Sequence, residues 1–442
     1  MSKILADKKF SEILTGSAFA LTGKMSGVGL ALLSNVLVAR FYGASMMGVL
    51  AIVQAFMMMA SIFAVMGTNV SILRLIPEHL TKYSVTSAFN IYRKTQYLVA
   101  VTSLLVGGAL YFCSNLIAQK VFTKPDLNFY IAVTALSVIF KALMDLNTEA
   151  VRGLRLIRIF AFMQILPHAM MLLILLALMA ISKQPNDPFY AQLAAWGATA
   201  ITGALIMDRA FRCQMRPDDQ VRPLKLVELL SISAPMLMTA SMNFIIGQVG
   251  VLVLGVYRPA SEVGFYAIAV KLATLTSFVL QAINSMAAPK FSELFHTGKL
   301  DDLFYVAKKS TRLIFWTTTP ILLFLVVFGR PILALFGEDF TVAYLPMLIL
   351  VVGQFVNSVS GSTGYFMNMT GQQKAFRNII AISSSINIFL TLFLIPKFGL
   401  LGAALAGTSS MALWNCMTLF FIKIKFGKTI GYIPWFKNFS SP

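Results

Sequence analysis

Long apolar stretches dominate this chain, and each is long enough to cross a lipid bilayer. A helix needs about 20 predominantly apolar residues to span the hydrocarbon core. The 442 residues are 58% hydrophobic and only 12% charged. We therefore predict an all-α integral membrane protein with about twelve transmembrane helices. The predicted spans are 14–39, 46–68, 96–118, 128–148, 159–182, 188–208, 229–256, 263–288, 312–329, 341–369, 376–396 and 399–422.

Lys and Arg residues gather in every second gap between these stretches. Of the 36 such residues, 26 fall in gaps or at span ends on the same side as the N-terminus, 7 fall in gaps on the opposite side, and 3 lie well inside spans. Basic residues near helix ends resist translocation, so the basic side stays cytoplasmic. We therefore predict a multi-pass membrane protein with both termini in the cytoplasm. One missed helix would reverse the alternation downstream, and no reversal occurs.

The composition also argues against several functional classes. The net charge of +19 is explained by topology, because the basic residues form no compact patch typical of nucleic-acid binding. No GxxxxGK[ST] loop for a nucleotide is present. His79, His168 and His296 lie far apart in the sequence and predict no metal site. The short outer gaps carry only scattered acids, so we expect neither a catalytic site nor a cofactor, and a transporter rather than an enzyme.

The second half of the chain repeats the first at an offset of about 216 residues. The motif around Ala44 recurs around Ala260, and the segment Phe89 to Leu98 recurs as Phe304 to Leu313. A duplicated six-helix unit predicts two lobes, residues 1–215 and 216–442. Because six is even, the lobes should be parallel repeats related by a pseudo-two-fold axis along the membrane normal.

Two segments of the second half resemble a known family. They are YRPASEVGFYAIA (257–269) and LFGEDFTVAYLPMLILVVGQFVNSVSGSTGYFMNMTGQQK (335–374). Both are similar to the polysaccharide exporters and O-antigen flippases of the multidrug/oligosaccharidyl-lipid/polysaccharide (MOP) superfamily. The resemblance implies a two-lobed carrier that moves polyprenyl-pyrophosphate-linked oligosaccharides of lipopolysaccharide biosynthesis to the periplasmic face. It also implies a lipid-linked glycan, the surrounding membrane lipid and polysaccharide polymerase machinery as partners.

A second branch of this superfamily gives the alternative function, an ion-coupled exporter of drugs or other small molecules of the MATE type. Members of that branch commonly place an acidic residue in the first helix. Here the first span contains Lys24 and no Asp or Glu between positions 13 and 39. This difference favours the oligosaccharide branch.

Four charged residues fall well inside the predicted spans, away from their ends, where charge costs about 2.5–3.5 kcal/mol each unless it meets a cavity or a partner. They are Lys24, Lys141, Asp145 and Lys271. Lys24 and Lys271 belong to opposite halves and are predicted to hold a pyrophosphate or an acidic sugar in a cationic cavity during alternating access. Lys141 and Asp145 are four residues apart, so they either face the cavity or simply pair with each other.

Polar side chains form a second set of candidate substrate contacts. Gln354, Asn357 and Ser358 recur at helical spacing in the tenth span, and Asn243 marks the seventh. Sugar hydroxyls need such donors and acceptors, whereas lipid-facing positions exclude them. The alternative for each residue is a hydrogen bond between neighbouring helices.

Overall fold

The computed structural model describes residues 8–182, 184–213, 224–432 and 434, with no side chains given for residues 8–18, 20 and 21. The regular secondary structure of this part of the chain is helical, without strands. The α-helices are α1 (Lys8–Val65), α2 (Thr68–Lys82), α3 (Val85–Leu116), α4 (Leu127–Gly153), α5 (Ile157–Ile181), α6 (Asp187–Arg212), α7 (Leu226–Tyr257), α8 (Ala260–Ala273), α9 (Ser277–His296), α10 (Leu300–Ala334), α11 (Tyr344–Ser360), α12 (Thr363–Met369), α13 (Gln373–Phe398) and α14 (Leu400–Phe426).

Eleven helical segments of the described chain are long and apolar enough to cross a membrane. The first, Thr22–Val65, has 44 residues and contains two spans. It breaks at Gly43, whose φ of 81° and ψ of 173° suit glycine far better than any other residue. This break falls in the predicted gap between 39 and 46. The prediction of an all-α membrane protein with about twelve spans is confirmed.

Two predicted spans are interrupted in ways that their hydropathy does not reveal. The span 263–288 divides into α8 and α9, separated by a short 3₁₀ turn over Thr274–Thr276. There the Thr274 hydroxyl donates to the carbonyl of Val270 and the Ser277 hydroxyl donates to that of Thr274, in competition with the helix backbone. The span 341–369 ends its main helix at Ser360, because Gly361 has a φ of 69°.

The described residues cluster into two compact units, unit 1 up to Ser241 and unit 2 from Met242. The division falls within α7, whereas the sequence places the lobe boundary at 215/216. In unit 1 the Ser233 hydroxyl lies 2.7 Å from that of Ser71 on α2. In unit 2 the carbonyl of Met242 accepts from Ser384 on α13 at 3.5 Å. The two ends of α7 thus make their polar contacts in different units.

Unit 1 is held together by polar contacts and close backbone packing. The Tyr92 hydroxyl donates to Asn147 Oδ1 at 2.8 Å, and Asn147 Nδ2 donates to the carbonyl of Ala200 at 3.1 Å, which joins α3, α4 and α6. Gly23 and Gly27 form a GxxxG pair on α1. A Cβ atom at either glycine would lie 2.8 Å from a backbone oxygen of α5. Small residues at this spacing let two helices approach closely.

Unit 2 repeats the helix order of unit 1. α3 begins at Val85 and α10 at Leu300, while α5 begins at Ile157 and α13 at Gln373, an offset of about 215 residues. Its helices are joined by comparable contacts: Asn387 Nδ2 donates to the Ser410 hydroxyl at 3.0 Å, and the Thr408 hydroxyl donates to the carbonyl of Ile349 at 2.8 Å.

Contacts between helix ends agree with the alternating topology. On the predicted outer side, Tyr130 donates to Asn186 at 2.6 Å, joining the starts of α4 and α6. On the predicted inner side, Arg93 forms a salt bridge with Asp208 at 2.8 Å, joining the start of α3 to the end of α6. Each pair links residues assigned to the same side. Five of the basic residues counted in the charge pattern lie outside the described residues, namely Lys3, Lys183, Arg216, Arg222 and Lys437.

Candidate functional site

A polar cavity of about 300 Å³ lies within unit 1. Five helices contribute to its wall, and most of the side chains are ones that a lipid environment excludes. They comprise four amides, two carboxylates, one ammonium group, one imidazole and one hydroxyl, together with four apolar residues. The lining residues are Gln54, Asn69, Lys141, Met144, Asp145, Thr148, Glu149, Met163, Gln164, Pro167, His168, Gln192 and Trp196.

One face of α4 supplies the charged part of the wall. Lys141, Asp145 and Glu149 are spaced four residues apart, so their side chains project from the same side of the helix. Lys141 Nζ lies 2.6 Å from both carboxylate oxygens of Asp145, and the Ser61 hydroxyl of α1 donates to Asp145 at 2.9 Å. Lys141 lies 14 residues into a helix of 27, near the middle of the span. The pair is thus the arrangement expected for opposite charges at bilayer depth.

A second charged group continues this face towards the predicted cytoplasmic end. Arg152 donates to Glu149 at 3.3 Å. Lys24 of α1 interacts electrostatically with both Glu149 and Arg152. Two basic side chains and one carboxylate therefore interact at this end of the cavity.

The amides of the cavity have unused hydrogen-bonding capacity. Gln54, Asn69, Gln164 and Gln192 make no side-chain hydrogen bond to another described residue. Each amide offers a carbonyl oxygen and two N–H donors. Polar groups at membrane depth are costly when they are unpaired. These four side chains are therefore expected to be satisfied by water or by a ligand.

The local structure of α5 shapes the wall between these amides. Pro167 lies inside the helix and cannot donate to the carbonyl of Met163, so this acceptor loses its usual helical partner. Gln164 and His168 lie on the same side of α5. A Cβ atom at Gly27 would lie 2.8 Å from the carbonyl of Gln164 and 3.1 Å from the His168 ring. Close packing of α1 on α5 therefore positions both side chains.

The structure places three of the candidate residues in or beside this cavity. Lys141 and Asp145 line it as an ion pair, and Lys24 lies with Glu149 and Arg152 at its charged end. Lys141 is therefore neutralised by Asp145. Lys271 lies in the last turn of α8 in unit 2, where it is half-buried.

The polar residues of the tenth span lie in the interior of unit 2. Gln354, Asn357 and Ser358 are buried, with exposed fractions of 4%, 8% and 3%. Asn357 accepts from Asn415 of α14 at 3.4 Å, and the Ser358 hydroxyl donates to the carbonyl of Gln354 at 2.9 Å. These three residues pack within unit 2, and their role as substrate contacts stays a prediction. Asn243 is exposed on α7.

Several cavity residues were absent from the sequence-based candidates. Glu149, Gln164 and Gln192 are polar residues of three different helices, and only tertiary packing brings them together. One signal was present for Glu149, because it continues the four-residue spacing of Lys141 and Asp145. The Gly23 and Gly27 pair was a second readable signal, since it marks the face of α1 that packs on α5.

A wider groove of about 760 Å³ lies at the predicted outer end of α3 and α4. Its wall includes the exposed rings of Tyr111 and Phe129 and one charged residue, Asp126. This groove lacks the cluster of convergent polar groups that marks a binding site. We therefore take the smaller polar cavity as the candidate site.

Comparison with solved structures gives the class of protein. The fold matches a multidrug resistance MATE family transporter of the MOP superfamily in an inward-facing conformation, with a TM-score of 0.73, 12% identity and coverage of 93% of this chain and 98% of that one. It also matches the lipid II flippase MurJ, with a TM-score of 0.67, 14% identity and coverage of 93% and 87%. The chain is thus a multi-pass membrane protein with the fold of MOP-superfamily transporters.

The sequence gives the family. Residues 13–295 match the family described as polysaccharide biosynthesis protein, and the chain belongs to it. Two relatives from Haloferax volcanii are the probable low-salt glycan biosynthesis flippase Agl15, 27% identical over 37% of this chain, and the probable flippase AglR, 28% identical over 38%. The matched regions cover 34% and 36% of those proteins, so the similarity spans about a third of their length. The predicted resemblance to the polysaccharide branch is confirmed.

Proposed function

We propose that this protein translocates a polyprenyl-pyrophosphate-linked oligosaccharide, such as an O-antigen repeat unit, from the cytoplasmic to the periplasmic side by alternating access. Family membership supports a role in polysaccharide biosynthesis, and the named relatives are probable flippases. The substrate is then a lipid with a large polar headgroup, which needs a polar path through the membrane. The cavity of unit 1 offers polar groups at the required depth.

The observation that carries this proposal is the cluster of Lys24, Glu149 and Arg152. Lys24 and Arg152 both interact with the Glu149 carboxylate, so two basic groups lie near one acidic group at the end of a polar cavity. Basic side chains beside a cavity of a membrane protein are suited to bind an anion. A pyrophosphate is such an anion, and Arg and Lys are its usual protein partners. We assign Lys24 and Arg152 as contacts for the pyrophosphate, and Lys271 of unit 2 stays a predicted substrate contact.

The direction of transport agrees with the charge of the substrate. An inside-negative potential favours outward movement of an anion by about 2.3 kcal/mol per charge per 100 mV. The proposed location is the bacterial inner membrane with cytoplasmic termini, because the basic helix ends mark the cytoplasmic side. The proposed partners are the lipid-linked glycan, membrane lipid and polysaccharide polymerase machinery. We assign the chain no catalytic role.

Genetic complementation tests this function. A host strain lacking the gene receives the wild-type protein, Lys24→Ala, Arg152→Ala or Lys82→Ala, and surface glycan is quantified at matched expression. Lys82 is the control, because it is an exposed cation at the end of α2 that pairs with Glu78. We expect export to fall about tenfold in the first two variants, since a charge-assisted contact is worth about 1.5–3 kcal/mol. Wild-type export by a Lys24→Ala, Arg152→Ala double variant would contradict the assignment.

The alternative, a MATE-like ion-coupled small-molecule exporter, has less support. The likeness to MATE structures shows the fold alone. The first span carries Lys24 and lacks an acidic residue, so a cationic drug would meet a positive group there. Dye accumulation in the same strains separates the two functions, because only an exporter of this second kind lowers intracellular dye.

A further inference from the structure

We infer that the polar cavity of unit 1 is a saccharide subsite, separate from the pyrophosphate contacts at Lys24 and Arg152, and that it accepts an uncharged sugar ring in preference to an acidic one. The inference rests on the proposed function and adds the part of the substrate that the cavity binds. It starts from the chemistry of the lining, which differs from that of the neighbouring cationic cluster.

The first argument is the match between amides and hydroxyls. Gln54, Asn69, Gln164 and Gln192 come from four helices, converge on one cavity and make no side-chain hydrogen bond to another described residue. A sugar ring carries hydroxyl groups around its rim, and each hydroxyl both donates and accepts. An amide does the same, so four unpaired amides can pair with several hydroxyls at once. A phosphate offers only acceptors and would leave the amide oxygens unpaired.

The second argument is charge. The lining contains the carboxylates of Asp145 and Glu149 and a single ammonium group, that of Lys141. Lys141 is already bound to both oxygens of Asp145 at 2.6 Å. Among the lining residues that the structure describes, the remaining basic side chain is the His168 imidazole, which ordinarily carries at most a partial charge near neutral pH. A uronic acid would therefore place its carboxylate beside two carboxylates of the wall, while the one ammonium group is already engaged. Like charges brought together in this way reduce affinity.

The third argument is size. At about 300 Å³ the cavity is at the lower end of the range for small-molecule sites, about 300–1,000 Å³. It is suited to one or two sugar rings rather than to a whole oligosaccharide. Trp196 and Met163 supply apolar surface beside the amides. This combination of an apolar wall with a few convergent polar groups is typical of small-ligand sites.

The test uses the full-length protein in phospholipid nanodiscs free of sugar-based detergent. Saturation-transfer NMR measures binding of methyl glucoside and of methyl glucuronide, which differ in the carboxylate. We expect methyl glucoside to bind in the millimolar range and methyl glucuronide to bind at least about tenfold more weakly. The triple variant Gln54→Leu, Gln164→Leu, Gln192→Leu should lose the methyl glucoside signal. Gln119→Leu is the matched control, because Gln119 is an exposed amide outside the cavity, in the π-helical turn Ile117–Val121 that follows α3.

Three results would overturn the inference. The first is the absence of any glucoside signal in the wild type, which is expected for a cavity that holds only water. The second is a glucoside signal that the triple variant retains, and the third is glucuronide binding that is equal to or tighter than glucoside binding. Gln192→Glu, which keeps the size of the side chain, replaces the triple variant if that protein does not fold, and it should weaken glucoside binding about tenfold. A wild type that binds glucoside through these amides but exports no glycan would leave the subsite intact and remove the proposed function.

Discussion

α4 of unit 1 and α11 of unit 2 occupy corresponding places in the repeated helix order, yet they use their polar residues differently. Lys141 and Asn357 are separated by about 216 residues, the same offset as the starts of α5 and α13. Lys141 pairs with Asp145 at the wall of a cavity, while Asn357 is buried and bonds to Asn415. One position borders a space that can hold a ligand, and the other joins two helices. The comparison shows that a polar stripe at helical spacing identifies a site only when space lies beside it.

The largest effect should come from breaking the ion pair of α4. Asp145→Asn leaves the Lys141 ammonium uncompensated near mid-membrane, at a cost of about 3 kcal/mol. We expect a lower melting temperature and a lower yield of folded protein in detergent. The double variant Lys141→Met, Asp145→Leu should recover most of the loss, because it removes both charges. An Asp145→Asn protein that melts like the wild type would show that the pair is not structural.

Close packing of α1 on α5 gives the next effect. Gly27→Leu places side-chain atoms against the carbonyl of Gln164, at a cost of about 1–3 kcal/mol, and it also displaces the cavity wall. Gly29→Leu is the matched control, since a Cβ atom at Gly29 meets nothing within 4 Å. Gly27→Leu should lower both the melting temperature and the affinity for glucoside, whereas Gly29→Leu should leave both unchanged. Equal behaviour of the two would contradict the proposed packing role.

Substitution of a buried amide in unit 2 should lower stability but not export, whereas substitution of a cavity amide in unit 1 should lower export but not stability. Asn357→Ala removes the acceptor for Asn415 and should cost about 1 kcal/mol of stability without changing glycan export per folded molecule. Gln164→Leu should lower export and leave the melting temperature nearly unchanged, because its amide has no protein partner to lose. Parallel export assays and thermal scans measure both. If Asn357→Ala lost export at normal stability, Asn357 would be a substrate contact, as the sequence predicts, rather than a structural residue.

The smallest effect concerns the surface of α2, outside the membrane spans. The side-chain hydrogen bond from Lys82, and the charges of Lys82 and Arg74, lower the pKa of Glu78. A carboxyl group with a lowered pKa stabilises the folded state above its unfolded pKa, and this contribution disappears as the pH falls through the folded pKa. For this exposed group the contribution is a few tenths of a kcal/mol. Glu78→Gln should therefore lower the melting temperature slightly at pH 7 and not at pH 3.

Much of the fold could be predicted because hydropathy and charge report directly on the membrane. The twelve spans follow from length, and the break at Gly43 coincides with a polar gap. α2 was missed as a separate helix, because its exposed face carries Arg74, Glu78 and Lys82 and its hydropathy is correspondingly low. The turn at Thr274–Thr276 was missed because threonine hydroxyls leave the hydropathy of a span almost unchanged.

The site was less predictable because it depends on contacts between distant segments. The pairing of Lys141 and Asp145 is local, four residues apart on one helix, and could be foreseen as one of two alternatives. The convergence of Gln54, Gln164 and Gln192 joins α1, α5 and α6, and no spacing rule relates them. From the sequence alone, Asn357 could not be distinguished from a cavity residue, because its burial against α14 is a tertiary contact that leaves no local sequence pattern.

Reconstituted translocation tests the central claim most directly. Proteoliposomes carry a fluorescent polyprenyl-pyrophosphate-linked disaccharide, and glycosidase added outside reports the glycan that reaches the outer leaflet. The account predicts translocation above that of protein-free liposomes, reduced about tenfold by Lys24→Ala and by the triple glutamine variant, and unchanged by Lys82→Ala. A wild-type rate equal to that of protein-free liposomes, or full activity in the Lys24 and triple glutamine variants, would contradict it.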